Sequence, residues 1–207
     1  MPAWPEIALV VAAYLIGGFS PGYWLVRWRI GIDVRTTGSG GTGATNVRRV
    51  LGLKASVLVL VLDLAKGALV GGAARAMGAP ATWAFAAAFA VVVGHVWPVW
   101  LGFRGGKGVG PFVGAWLVLA PLALLPSLAL AMILLAWLRR SSIAGLGSLV
   151  LLPPAAWWVT GDRIAVAVAC LTISLLLWAH RANLRQFAAT RIDGASPPAP
   201  EAPTDSP

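Results

Sequence analysis

Two short segments of the 207-residue chain set glycines beside cations in patterns suited to binding phosphate. The first reads Gly38-Ser39-Gly40-Gly41-Thr42-Gly43-Ala44-Thr45-Asn46-Val47-Arg48-Arg49. Small residues let backbone N–H groups converge on an anion, and Ser39, Thr45, Asn46 and Arg49 add side-chain donors. Glycines at 38, 40 and 43 also reproduce the bare dinucleotide fingerprint, with Asp63 in the place of its acidic residue. No parallel-sheet unit surrounds the loop, however, and Asp63 lies in a hydrophobic run, which excludes a dinucleotide fold. A Walker loop is excluded too, since no Lys-Ser or Lys-Thr follows the glycines. The segment is then either an anion cradle or a flexible turn.

The second segment runs from Gly94-His95-Val96-Trp97-Pro98 to Phe103-Arg104-Gly105-Gly106-Lys107-Gly108-Val109. Gly105, Gly106 and Gly108 bracket Lys107 at an expected helix start, where the helix dipole also favours an anion. Two such loops on one face would make a cationic site with room for two phosphate groups. His95 is more readily a hydrogen-bonded structural histidine than a catalyst, and stands second to the cations. Further on, His180 and Asn183 are three apart, which would put them on one helical face, either holding a substrate or capping the helix end. Asp63 and Lys66, also three apart, fall inside a hydrophobic segment, where ionisable groups are costly unless paired. Mutual neutralisation that braces the loops is favoured over direct chemistry. Two histidines and one cysteine make no usual zinc set, and neither Gly-x-Ser-x-Gly nor His-x-x-x-x-Asp occurs. No metal or cofactor is expected. An enzyme built on these residues depends on substrates that bring much of their own reactivity.

The elements that must carry these loops are membrane helices. Apolar residues make up 58% of the chain and charged ones only 11%, too few to coat a soluble domain of this size. Hydrophobic segments near 6–26, 55–77, 80–100, 109–124, 126–138, 143–160 and 164–180 predict about seven transmembrane helices in an all-α integral membrane protein. The pair separated by Pro121 and Pro126 could instead be one kinked helix, which would leave six, the main alternative to seven. With the N-terminus outside and the C-terminus cytoplasmic, 13 of the 16 cations fall in inner loops or the tail, as the positive-inside rule requires. The net charge of +9 is thereby explained without nucleic acid. Residues 1–193 form a single polytopic domain. The stretch 194–207, with five prolines and no bulky apolar side chain, is expected to be a disordered cytoplasmic tail. Cys170 is expected to be a small core residue, and nothing points to a protein partner.

In this order, the blocks resemble the membrane-bound acyl-phosphate:glycerol-3-phosphate acyltransferases of bacteria, the PlsY family. The matching residues are Gly38-Ser39-Gly40 with Gly43-Ala44-Thr45-Asn46-Val47 and Arg49, then Asp63-Leu64 with Lys66-Gly67. Gly94-His95 with Pro98, Gly105-Gly106-Lys107-Gly108-Val109, Ser141-Ser142, and His180 with Asn183 follow. The resemblance spans about Gly17 to Arg185. It implies a seven-helix fold in the bacterial cytoplasmic membrane, with the N-terminus outside. It also implies transfer of a fatty acyl group from acyl phosphate to the 1-hydroxyl of glycerol 3-phosphate, giving lysophosphatidate and phosphate, the first step of phospholipid synthesis. By motif, Ser39, Arg49 and Lys107 would bind phosphate and stabilise the transition state, while His180 and Asn183 position glycerol phosphate. Gly40, Gly43, Thr45, Asn46, Gly105 and Gly106 would belong to the substrate site. Gly108, Ser142 and His95 would join them there, with Asp63 and Lys66 in support. Membrane lipids would be the only other partners.

An acyl phosphate is a mixed anhydride whose own phosphate can take the attacking hydroxyl's proton, so neither a protein nucleophile nor a general base is demanded. The chain departs from the family at Gly41 (usually Asn), Thr42 (Ile or Pro), Gly110-Pro111 (Ala-Thr) and Ala182 (Glu). A transporter of phosphorylated solutes, or a non-catalytic binder of lipid headgroups, would also use cationic loops at one membrane face.

Overall fold

The computed structural model describes residues 3–139 and 141–192. Arg140 and the expected tail 194–207 lie outside the described residues. Ten α-helices and no strand occur among them. Helix α1 (Trp4–Gly18) leads into α2 (Pro21–Ile30) across an extended Ser20. Pro21 has no N–H to give the carbonyl four residues back, so the break leaves Gly17 O free for another donor.

Helix α3 (Ala44–Ala76) is interrupted at Gly52, where φ is 82° and ψ is −172°, a conformation open to glycine. The first part, 44–51, is bent back so far that Ser56 Oγ donates to Ala44 O over 2.9 Å. What reads in sequence as a long inner loop from 27 to 54 is therefore half helix, and its glycines end at the helix start. Helix α4 (Ala81–Val96) is the most enclosed, and a short turn at Val99–Leu101 ends its segment. Then come α5 (Val109–Leu119), α6 (Pro121–Leu138), α7 (Ser141–Ser148), α8 (Leu152–Thr160), α9 (Arg163–Ala179) and α10 (Arg181–Ile192).

Each of the seven predicted segments is helical, with shifted limits. Five stretches are long and apolar enough to cross a bilayer: Trp4–Ile30, Ala44–Ala76, Ala81–Leu101, Pro121–Leu138 and Ser141–Thr160. A sixth is added if α9 and the start of α10, bent by 59°, act as one. Helix α5 has 11 residues, or about 16 Å, roughly half of a hydrocarbon core. The break in 109–138 falls at Ala120 (φ −147°, ψ 66°), just before Pro121 opens α6 at a position where no N–H is needed. Pro126 sits inside α6 instead of dividing two spans.

Side chains such as Trp137, Ile133 and Met132 on α6 or Leu53, Val57 and Val61 on α3 are exposed, as surfaces facing lipid should be. Cys170 is also exposed. The inward face of α9 is formed by Ala165, Ala169, Thr172 and Leu176, so the cysteine is not the core residue expected. The core centres on Trp116, Phe112, Val91, Val92, Leu152 and Leu176. A second cluster of Val26, Val34, Val47 and Val59 lies beneath the first glycine loop.

Two close crossings depend on missing side chains. A Cβ on Gly17 would overlap Val91 O, and one on Gly94 would overlap Tyr14 O, which brings α1 onto α4. A Cβ on Gly67 would overlap Pro111 O, and one on Gly114 would overlap Leu64 O, which sets α5 against α3. Such small-residue contact replaces hydrophobic drive between helices in lipid. Gly114→Leu should therefore lower the thermal midpoint in detergent by the equivalent of about 1–3 kcal/mol, whereas Gly72→Ala, with open space around it, should leave it unchanged. Equal midpoints would show that the α3–α5 crossing is not tight.

Candidate active site

The first glycine loop is shaped from within by Asn46. This buried amide donates from Nδ2 towards Val34 O (2.7 Å), Gly41 O (2.9 Å) and Thr37 O (3.0 Å), and its Oδ1 accepts from Ser39 N–H (3.0 Å). Gly38 and Gly40 hold positive φ, 52° and 68°. A Cβ on Gly38 would run into Asn46 Oδ1 and crowd the Arg49 guanidinium. Asn46 thus holds the loop together while also bordering the cavity.

The second loop is laid along the end of α4. The last turn of a helix leaves carbonyls without partners, and Gly105 N–H donates to Val96 O (3.1 Å) and Gly106 N–H to His95 O (3.0 Å). The two loops are then joined. Thr42 N–H donates to Gly105 O (3.4 Å), and Arg35 donates to Leu101 O (2.7 Å) and Arg104 O (3.2 Å). Asp33 holds Arg35 in place by a 2.7 Å ion pair and, through that hydrogen bond, its own carboxyl lies below the usual carboxylate range. Nothing in the sequence marked Asp33 and Arg35, because an interloop staple has no motif.

Behind the loops, Lys66 Nζ sits 2.9 Å from Asp63 Oδ1, 3.0 Å from both Gly17 O and Phe19 O, and 2.7 Å from His95 Nδ1. Asp63, Lys66 and His95 are all buried. The carbonyl released by Pro21 is thus taken by the ammonium, and a bridge runs from the α1–α2 break through α3 to α4.

In front of the loops lies a cavity of about 300 Å³. Ser39, Gly43, Thr45, Asn46 and Arg49 border it from the first loop and helix α3. Gly106, Lys107 and Gly108 border it from the second loop, with His95 and Asp63 behind them. Ser142, His180 and Asn183 close the far side. Among the expected site residues, Gly40, Gly105 and Lys66 do not line it: Gly40 shapes the turn, Gly105 lies against α4 and Lys66 sits behind. Gly41, Ala44, Val109, Gly110 and Ser141, which the motif blocks or their departures contain without a site role, also line it, and so does Leu60, which lies outside them. Leu60 is one turn before Asp63 on α3 and shares its side of the helix.

His180 and Asn183 do meet at the cavity, but not on one helical face. Helix α9 stops at His180, whose φ/ψ of −98°/6° begins the 59° bend into α10. Lys107 Nζ donates to Asn183 Oδ1 (2.5 Å), and Asn183 Nδ2 donates to Ser142 Oγ (3.3 Å). Burial, and then the positive charge of Arg49, hold the Lys107 amine below the usual lysine range. Helices α3, α5 and α7 all begin at the cavity wall, through Ala44, Val109 and Ser141. Each start adds unpaired N–H groups and the positive end of a dipole. Two cations and three helix starts around one cavity suit a multiply charged anion.

Three of the five departures have a recognisable local setting, and nothing in the structure explains Gly41 or Ala182. Gly110 accommodates Asp63, whose Cβ would collide with a side chain there. Pro111 lies in the first turn of α5, where no hydrogen bond is lost. Thr42 is buried and spends its N–H on Gly105.

A family model described as glycerol-3-phosphate acyltransferase matches residues 7–190. A glycerol-3-phosphate acyltransferase of Myxococcus xanthus is 43% identical over 185 residues, covering 87% of this chain and 95% of that one. One from Anaeromyxobacter dehalogenans is 45% identical over 184 residues, covering 86% and 92%. Among solved structures, PlsY, an integral membrane glycerol 3-phosphate acyltransferase in its glycerol 3-phosphate form, superposes with a TM-score of 0.84. It is 31% identical, over 90% of this chain and 94% of that one.

Asn46→Asp should open the first loop, because a carboxylate cannot donate to the three carbonyls that the amide now faces. A loss of about 1–3 kcal/mol is expected for the orphaned groups. It would be read as faster proteolysis within residues 33–43 and a lower thermal midpoint. Unchanged cleavage would mean that the loop is held by other contacts.

Proposed function

Because the chain belongs to the glycerol-3-phosphate acyltransferase family, we propose that it moves a fatty acyl group from acyl phosphate to the 1-hydroxyl of glycerol 3-phosphate. The products are lysophosphatidate and inorganic phosphate, and the site is the 300 Å³ cavity. The observation that carries this is the convergence of Arg49, Lys107 and three helix starts on one space. Both substrates carry phosphate, and the leaving group is phosphate as well. We place the protein in the bacterial cytoplasmic membrane with seven helical passes, α5 being a short one. The N-terminus is outside, so that the cationic loops face the cytoplasm.

In this reaction the acceptor hydroxyl oxygen attacks the acyl carbonyl, the bond from that carbon to the phosphate oxygen breaks, and the departing phosphate takes the hydroxyl proton. The chain supplies position and charge. Holding both reactants in line contributes up to roughly 7–11 kcal/mol in favourable cases, and each fixed donor about 3 kcal/mol. Arg49 and Lys107 offset the charge gathering on the leaving phosphate. Asn183, fixed between Lys107 and Ser142, orients glycerol phosphate on the opposite side.

A second, mostly apolar cavity of about 160 Å³ supports the lipid half of the assignment. It shares Val109, Ser141, Ser142 and His180 with the first and continues between α5 and α6 past Val113, Leu128 and Leu124. We assign the acyl chain to it, with the carbonyl at the shared residues.

Two tests follow from this assignment. Purified protein in lipid should release phosphate from palmitoyl phosphate only when glycerol 3-phosphate is present, and should form lysophosphatidate. Lys107→Ala should reduce the rate roughly a hundred- to a thousand-fold, the cost of one oriented donor. Because the charged amine is the useful form and its pKa is lowered, activity should fall at alkaline pH before a free lysine would titrate. Lys107→Arg should move that limb upward. No release by folded protein from any acyl phosphate would end the assignment. The other test enlarges the far cavity: Leu124→Ala should shift the preferred donor towards longer acyl chains. An unmoved chain-length profile would place the chain elsewhere.

A further inference from the structure

The chain contains only two histidines, and both border the same cavity. Their Nδ1 atoms meet partners of opposite character. His180 Nδ1 lies 2.8 Å from Leu176 O. A carbonyl only accepts, so this nitrogen carries a proton, and in the neutral ring Nε2 keeps its lone pair. His95 Nδ1 lies 2.7 Å from Lys66 Nζ. Asp63 and two carbonyls surround that nitrogen, the setting of an ammonium, and an ammonium only donates. The one other acceptor near His95 Nδ1 among the described residues, Asp63 Oδ1, is 3.5 Å away and faces the ammonium at 2.9 Å, so Nδ1 is bare and the ring proton sits on Nε2. An imidazolium at 95 would point a second N–H at the ammonium.

We infer that the two histidines are locked in opposite tautomers, so that His95 offers an N–H donor and His180 a lone-pair acceptor to one cavity. No protein group among the described residues hydrogen-bonds His95 Nε2; the buried ring borders the cavity with this nitrogen against Gly106, where a Cβ would sit on it. The donor stands on the side of Gly106 and Lys107, where a bound anion would be held. The acceptor stands beside Asn183. Resting on the acyl-transfer assignment, this makes His95 a donor to the phosphoryl or carbonyl oxygen of the acyl donor, and His180 a hydrogen-bond acceptor that orients a glycerol hydroxyl, the reacting proton still passing to the departing phosphate. Lys66 is then a positioning residue: it acts through the ring of His95 and touches no substrate.

The experiment is nitrogen-15 NMR of the full chain in lipid nanodiscs, labelled only at histidine, with His95→Gln used to assign the two rings. The expected result at neutral pH is two neutral rings, one protonated at Nε2 and assigned to His95, the other protonated at Nδ1 and assigned to His180. Titration with inorganic phosphate should move the His95 Nε2 resonance. Two rings both protonated at Nε2, or His95 protonated at Nδ1, would overturn the tautomer lock whether or not the protein transfers acyl groups. A lock without a phosphate response would overturn the donor role alone.

Turnover gives a separate readout. A glutamine amide at 95 can present an N–H where Nε2 lies, so His95→Gln should keep activity within about tenfold. His95→Leu should lose roughly a hundredfold in kcat, the scale of a missing oriented donor. Equal losses in the two variants, with equal thermal midpoints, would make His95 structural. If neither variant nor wild type turns over while the NMR pattern stands, the acyl-transfer assignment fails and the tautomer lock survives.

Discussion

The ammonium of Lys66 is the contact on which the remainder of the site depends. A lysine buried in a membrane bundle is tolerated only if its donors are met and its charge is balanced. Pro21 and the break before it expose the carbonyls of Gly17 and Phe19, and Asp63 supplies the countercharge. These partners come from the α1–α2 break and from α3, and the fourth neighbour, His95, belongs to α4. Without this pairing, neither the break in the first span nor the buried carboxylate would be affordable. With it, the end of α4 is fixed, and the second loop is laid along the fixed end by Gly105 and Gly106.

Rigidity then passes outward. Loop two holds loop one through Thr42 and Arg35, and loop one is held internally by Asn46. The cavity residues therefore sit on a continuous hydrogen-bonded support and not on free loops. That support permits Arg49 and Lys107 to stay close despite like charge. The positive charge of Arg49 contributes to holding the Lys107 amine below the usual lysine range, and a bound anion would relieve that repulsion.

Much of the site was legible in the sequence, because its chemistry demands residue types that leave few substitutes. Ser39, Arg49, Lys107, His180 and Asn183 were named from glycine-cation spacing and motif order, and all five border the cavity. What was illegible depended on backbone geometry that side-chain pattern does not encode. Nothing in the mixed basic and apolar stretch after Asn46 announces that Gly52 turns the chain back on itself, so a helical segment looked like loop. Period-three reasoning joined His180 to Asn183 through a continuous helix, and the bend between them brings the pair together by another route. Asp33 and Arg35 look like ordinary interfacial charges until the loops are seen in contact. Cys170 followed a propensity for burial, and in a bundle bathed in lipid an apolar residue is equally at home on the outside.

Helix α5 has about half the length of a hydrocarbon core, and its start forms part of the cavity wall. In the proposed seven-pass arrangement, so short a pass would set the cavity below the membrane surface. Loop backbone at that depth is permissible only because protein groups satisfy it, as the carbonyls of α4 do here. For an anhydride donor of the proposed kind, the depth sets a competition between two nucleophiles. Bulk water outnumbers glycerol 3-phosphate by orders of magnitude, yet a narrow sunken site admits solvent sparingly and holds the charged acceptor by its phosphate. On that proposal, burial would suppress hydrolysis, and the fidelity of transfer would become a property of how far one short helix falls short of the membrane surface.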